Sequence, residues 1–188
     1  MKRFINLLLM FSLFACAALA NAETVTTRAQ EHGYFELTAR DASGQLLWSE
    51  SARNALADEG EQALLDIYLR GATPPAGFYV RLYNDTPAET DTLALLTGEP
   101  SGSGYAPIAV ERSAVGWPTL ALDTGDYMAT SKEITFTAAG GSIGPVTYAV
   151  LATSSDNTGK LISYAALSQS RTLAVGESLK ITYKVKQQ

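Results

Sequence analysis

Apolar and polar residues alternate along short segments of this 188-residue chain, and clusters of Gly, Pro, Asn or Ser cut each segment off, a pattern that points to β-structure. Tyr34-Phe35-Glu36-Leu37-Thr38-Ala39-Arg40 alternates, Asp41-Ala42-Ser43-Gly44 supplies turn chemistry, and Gln45-Leu46-Leu47-Trp48-Ser49-Glu50 returns, which predicts a hairpin. Phe78–Tyr83, Ala106–Val110, Glu133–Thr137, Val146–Leu151, Leu161–Ala165 and Leu179–Val185 are further strand candidates, rich in the β-branched and aromatic side chains that suit a pleated, half-buried surface. Many short strands with frequent turn signals predict a mainly β protein, an antiparallel β-sandwich or a barrel-like sheet pair.

One α-helix near residues 58–70 interrupts the strands. Asp58-Glu59-Gly60-Glu61 reads as a capping box, with Asp58 at the N-cap and a Glu three residues on, and Ala63, Leu64, Ile67 and Tyr68 then recur on one face. Arg70 brings a cation to the C-terminal end and Gly71 can take the left-handed conformation that stops a helix. Pro74 and Pro75 prevent continuation, because each lacks a backbone donor and fixes φ.

The first twenty-two residues follow a different logic. Lys2 and Arg3 precede an apolar run from Phe4 to Leu19, and Ala20-Asn21-Ala22 puts small side chains where a signal peptidase cuts. The run is short against the roughly 20 apolar residues of a bilayer span. The expected organisation is therefore a signal peptide or apolar leader over 1–22, a polar N-terminal arm over 23–32, and a single β-rich domain over 33–188. Cleavage at Ala20 and Ala22 implies Sec-type export to an extracellular or cell-surface location. Leu13-Phe14-Ala15-Cys16 approximates a lipobox, so lipid anchoring at Cys16 is the competing outcome, and retention of the leader is the third.

The formal net charge is −5, and loss of Lys2 and Arg3 would make the chain more acidic still. Such a surface repels phosphate backbones, which argues against nucleic acid as a partner. Cys16 is the only cysteine, so a chain cleaved after Ala22 has neither thiol nor disulfide.

The inventory for chemistry is sparse. His32 is the only histidine and sits near the expected mature terminus, too little for a Ser-His-Asp or Cys-His arrangement or for a zinc site. No catalytic residue, cofactor or metal ligand is assigned. Asp41-Ala42-Ser43-Gly44 and Asp156-Asn157-Thr158-Gly159 carry oxygen-bearing side chains beside a glycine but lack the alternating carboxylates of a calcium loop; side-chain-capped turns, with Gly44 and Gly159 at positive φ, are the expected structures. Gly98–Gly104 reads as a flexible surface loop. Glu59 with Glu61, and Asp123 with Asp126, read as solvated surface pairs rather than glycosidase carboxylates. Among the aromatics Trp48, Trp117, Tyr79, Tyr83, Tyr105 and Tyr127, a sugar or partner platform is conceivable, with Trp117 and Tyr105 the candidate contacts; Trp117, between Gly116 and Pro118, is expected to be the exposed ring. The abundant strand edges favour contact with other protein subunits, including further copies, and the Thr-rich stretch Glu23–Gln30 is a candidate exchanged arm.

The order of several segments carries a resemblance. Arg40–Trp48, Arg53–Gly60, Phe78–Tyr83, Gly104-Tyr105-Ala106, Gly159–Leu167 and Val175–Ile181 together resemble a group of tailed-phage structural proteins, small β-rich components of the virion. The resemblance implies an assembly role at the head surface, neck or tail, and no enzyme activity. The departure from it is the leader, since virion components assemble in the cytoplasm. The alternative reading is an exported bacterial cell-surface or filament subunit, or a carbohydrate-binding module, and a third is a secreted carbohydrate-acting enzyme.

Overall fold

The computed structural model describes residues 31–187, with side chains from 33 to 186. Two antiparallel sheets pack face to face without closing into a barrel. The first contains β1 (Glu31–Arg40), β2 (Leu46–Arg53), β6 (Thr119–Asp123), β7 (Asp126–Thr130), β8 (Ile134–Thr137) and β11 (Ser178–Gln187), in the order β2-β1-β11-β7-β6. β11 is shared along one side by β8, at Ser178–Ile181, and then β7, at Lys184–Lys186. Ser131 makes the transition: its Oγ accepts the Tyr183 N–H at 2.9 Å and its N–H reaches the Tyr183 carbonyl at 2.8 Å, so the ladder is continued where the strand changes. The second sheet runs β3 (Ala55–Leu56), β10 (Leu161–Leu173), β9 (Ile143–Ala152), β4 (Gly77–Tyr83), β5 (Ile108–Glu111).

Period-two alternation explains the core. Phe35, Leu37 and Ala39 of β1 and Leu179, Ile181 and Tyr183 of β11 point inward and meet Val80 and Leu82 of β4 and Ala149 and Leu151 of β9. The second sheet is buried on its outer face as well. There Tyr83, Val150, Ala152 and Leu161 are covered by Ala57, by Leu93 of a short 3₁₀ segment, Leu93–Leu95, and by Leu96 just after it. The chain between β4 and β5 thus wraps over the back of that sheet.

The expected hairpin is present. Asp41 Oδ1 accepts the N–H groups of Ser43 (2.8 Å) and Gln45 (2.9 Å), and Gly44 has φ +85°. The helix, α1 (Asp58–Leu69), also falls where expected, but its start differs. Ala57 occupies the N-cap, Asp58 is already helical, and no capping box forms. Glu59 does the anchoring: its Oε2 accepts the Leu93 N–H at 2.9 Å and the Leu161 N–H at 2.8 Å, tying the helix to the 3₁₀ segment and to β10. Gly60 lies so close to β10 that a Cβ would overlap the Ile162 carbonyl oxygen. Because this close approach governs the docking, Tyr68 of the expected buried face is left 81% exposed.

β3, β6 and β7 have no counterpart among the expected strands. Thr124 (φ 49°) and Gly125 (φ 100°) form the tight turn that joins β6 to β7, so the acidic pair Asp123 and Asp126 are opposed residues of a hairpin.

Candidate assembly surface

The β6–β7 hairpin has an unusual distribution of side chains. Register links Leu120 to Ala129 and Leu122 to Tyr127, and Ala129 in turn to Val185 and Gly33. These residues therefore lie on the same face of the sheet as Phe35, Ile181 and Tyr183, the face that forms the core. Here the second sheet no longer covers it: Leu120 is 70%, Leu122 64% and Tyr127 61% exposed. The hairpin is a continuation of the core face beyond the sandwich.

Its base and turn are firmly held. Trp117, at the entry to β6, packs edge-on against Phe78 of β4 (6.0 Å) and Tyr183 of β11 (6.1 Å), bridging the two sheets. At the turn the buried Lys186 donates to Thr124 Oγ1 at 2.6 Å and lies 3.5 Å from Asp123 and 3.6 Å from Asp126. One cation from β11 thereby offsets both carboxylates at the tip.

Several of the other strand edges are protected. β3 has two residues; β5 has four and ends at Glu111, paired with Lys132 at 2.7 Å. On β2, whose outer side is also unpaired among the described residues, the charges lie on the core face, where Arg171 of β10 lies over the Trp48 ring at 4.2 Å and pairs with Glu50 at 3.2 Å. The open side of β8 is crossed by the 98–104 loop, where Ala139 N–H bonds Ser103 O at 2.8 Å. Proteins blunt edges in these ways to avoid indiscriminate pairing. β6 is different: no Lys or Arg occurs between Ser113 and Ser131, and among the described residues no strand pairs with its outer side.

A second unusual arrangement lies on the outer face of β4. Arg81 is 1% exposed and fully engaged, with Nε and Nη2 on Glu99 (2.9 and 2.5 Å), Nη2 on Asn157 Oδ1 (2.8 Å) and Nη1 on the Asp156 carbonyl (2.8 Å). Burial opposes its charge, but the Glu99 hydrogen bonds together with the electrostatic influence of Tyr83, Glu99 and Tyr105 outweigh it, so its pKa lies above the usual value. The Tyr105 hydroxyl donates to Glu99 at 2.7 Å and accepts the Leu82 N–H at 3.0 Å, and burial pushes its pKa up. These contacts pin two loops. Gly98–Gly104, expected to be a free surface loop, is held through Glu99 and through Gly98, whose carbonyl accepts the Asn84 N–H at 3.0 Å. The Asp156 turn closes over the guanidinium, and hydrogen bonds from Thr158 and Ser154 lower the Asp156 carboxyl to about 2. Gly159 does not take the expected positive φ; it is needed because a Cβ would come within 2.6 Å of Ser154 Cβ.

The two candidate contact rings are both engaged in packing. Tyr105 stacks on Phe136 at 5.5 Å, and Trp117 is half-buried between the sheets. The exposure expected at Trp117 falls on Tyr127 instead, because the indole packs against Phe78 and Tyr183. Ala20, Ala22 and Cys16 lie outside the described residues, as does the arm from Glu23 to Gln30; β1 begins at Glu31. Among the described residues no three His, Cys, Asp or Glu side chains gather as a metal site.

The described residues form a two-sheet sandwich with pinned loops, an unpaired strand edge without cations at β6 and an apolar face extending past the core. Residues 55–185 match the family described as podophage GP4 fiber I protein gp80, and the chain belongs to that family. It is thus a structural component of a tailed phage. No curated protein matches the chain.

Proposed function

We propose that this protein is a non-enzymatic fibre subunit of a podophage virion, held in the particle by contacts with other virion proteins. The family match carries this reading, since it runs from β3 into β11 and leaves only β1 and β2 of the described strands outside it. The exposed apolar face of the β6–β7 hairpin supports it, because uncovered patches of this kind mark protein interaction sites. Sugar contact through Trp117 or Tyr105 would need rings that pack between the sheets, so protein contact is the reading carried forward. Peptide mass spectrometry of purified virions encoding the chain, with antibody labelling in the electron microscope, should find it on fibres; its absence from the particle would overturn the reading.

The leader belongs to the same proposal. Ala20-Asn21-Ala22 predicts cleavage to a chain starting at Glu23 when a Sec-competent bacterium expresses the full sequence. Intact mass distinguishes the outcomes. A product beginning at Glu23 supports export, an acylated Cys16 supports a lipid-anchored cell-surface protein, and a retained Met1 removes export from the account.

A further inference from the structure

We infer that β6 is a self-complementary edge, through which two copies of this chain join their first sheets by antiparallel β6–β6 pairing. The inference rests on the assembly reading of the hairpin and adds the partner and the register.

Side-chain parity restricts the register. For a strand pair to keep Leu120 and Leu122 on the same face in both copies, opposed residue numbers must sum to an even value. Centring the pair on Ala121 opposes all five residues of Thr119–Asp123: Ala121 meets its own equivalent, Leu120 meets Leu122, and Thr119 meets Asp123. The two-fold axis is then perpendicular to the sheet, so the leucines and Tyr127 of both copies lie on one side. The contact is isologous and closes as a dimer.

Charge selects the orientation. The chain as a whole is at −5, so most of its surface repels a second copy. β6 carries only Asp123, and Lys186 offsets it from within the same molecule. A parallel pair would set Asp123 beside Asp123. The antiparallel pair sets it beside Thr119 and separates the two carboxylates by four residues, about 13 Å along the strand, beyond the roughly 8 Å screening length of physiological salt. A second copy therefore meets β6 without like charges in opposition. Another occupant of the β6 edge, such as the Glu23–Gln30 segment or a different virion protein, is an outcome that the experiment separates from this one.

The chain's single cysteine makes the register directly testable. In a Cys16→Ala background, Ala121→Cys places two thiols across the two-fold, where Cα atoms of an antiparallel pair are about 4.5 to 5.5 Å apart, within disulfide range. Mild oxidation should give a cross-linked dimer from Ala121→Cys and none from Leu120→Cys or from Leu65→Cys on the exposed face of α1. Light scattering of the parent should give twice the chain mass, and Leu120→Lys or Leu122→Lys should return it to one chain mass with an unchanged circular dichroism spectrum. A parent that stays at one chain mass, a mass insensitive to both lysines, or an Ala121→Cys variant that does not cross-link overturns the pairing. The virion test is independent. A chain found on fibres without cross-linking at Ala121 removes the pairing and leaves the fibre reading, whereas cross-linking by a chain absent from virions keeps the pairing and removes the fibre reading.

Discussion

The outer face of β4 and the β6–β7 hairpin invert the usual placement of side chains in opposite directions. At Arg81 a full charge is buried, and the partners that satisfy it come from two separate loops. At the hairpin three large apolar side chains are exposed on the face that elsewhere forms the core. The buried charge serves the molecule itself, because satisfying Arg81 fixes the 98–104 loop and the Asp156 turn against the sheet. The exposed apolar face does nothing for the isolated subunit, which is why we read it as directed to a partner. Substitutions in the two regions should accordingly differ: those at Arg81 should lower stability, and those at the hairpin should leave stability intact and change association.

The largest effect is expected at Arg81. Arg81→Met removes one partner of a buried pair and leaves Glu99, Asn157 and the Asp156 carbonyl without their shared donor, which should cost about 3 to 5 kcal/mol in chemical denaturation. Adding Glu99→Gln should recover part of the loss, since the remaining uncompensated charge disappears. A single variant as stable as the parent would mean that the guanidinium is not what closes the loops.

Next in size is Glu59. Two backbone N–H groups depend on its carboxylate, and hydrogen bonds to a charged group are worth about 1.5 to 3 kcal/mol. Glu59→Ala should therefore cost about 2 kcal/mol or more. Asp58→Ala should cost only about 0.5 kcal/mol, its share of a favourable charge in the first helical turn. The opposite ranking would restore Asp58 as the cap.

These positions also indicate how far sequence reasoning reaches. The β1–β2 hairpin was legible because Asp41 and Gly44 are the residues such a turn requires and lie within a few positions of one another. The helix was legible in extent, from its periodicity and from Gly71, but not in its anchoring: Leu93 and Leu161, the partners of Glu59, are distant along the chain. Arg81 sits in an alternating strand where a charged residue suggests solvent, and it is buried because the 98–104 loop and the Asp156 turn, distant along the chain, both fold onto it. The β6–β7 hairpin was missed because Thr124 is a β-branched residue at positive φ, a rare choice beside the Asn-Gly and Asp-Gly signals that mark such turns. Trp117 looked exposed from its Gly and Pro neighbours, yet the ring packs against Phe78 and Tyr183 between the sheets.

A smaller, pH-dependent effect belongs to the loop that covers Arg81. The Asp156 carboxyl is lowered to about 2 by its hydrogen bonds to Thr158 and Ser154, from an ordinary value of 3.8. A depressed carboxyl contributes stability that is complete above its unfolded value and is lost as pH falls through its folded value. The parent should thus lose stability between about pH 4 and pH 2. Asp156→Asn should show a shallower decline in that window, measured as the thermal midpoint at a series of pH values. Identical slopes would remove Asp156 from the acid response.

The smallest effect on stability, and the sharpest test of the contrast, is expected from Leu120→Ser combined with Leu122→Ser. Both side chains are mostly exposed in the single chain, so folding gains little from them, and substitutions at such positions ordinarily stay within about 0.5 kcal/mol. At concentrations low enough to keep copies apart, the double variant should unfold at the parent's midpoint. At high concentration the parent should gain stability, because a contact made only by the folded state stabilises it by mass action, while the variant should show no such gain. A double variant that is destabilised even when dilute would mean that Leu120 and Leu122 belong to the core after all, and the hairpin would then differ from Arg81 only in degree.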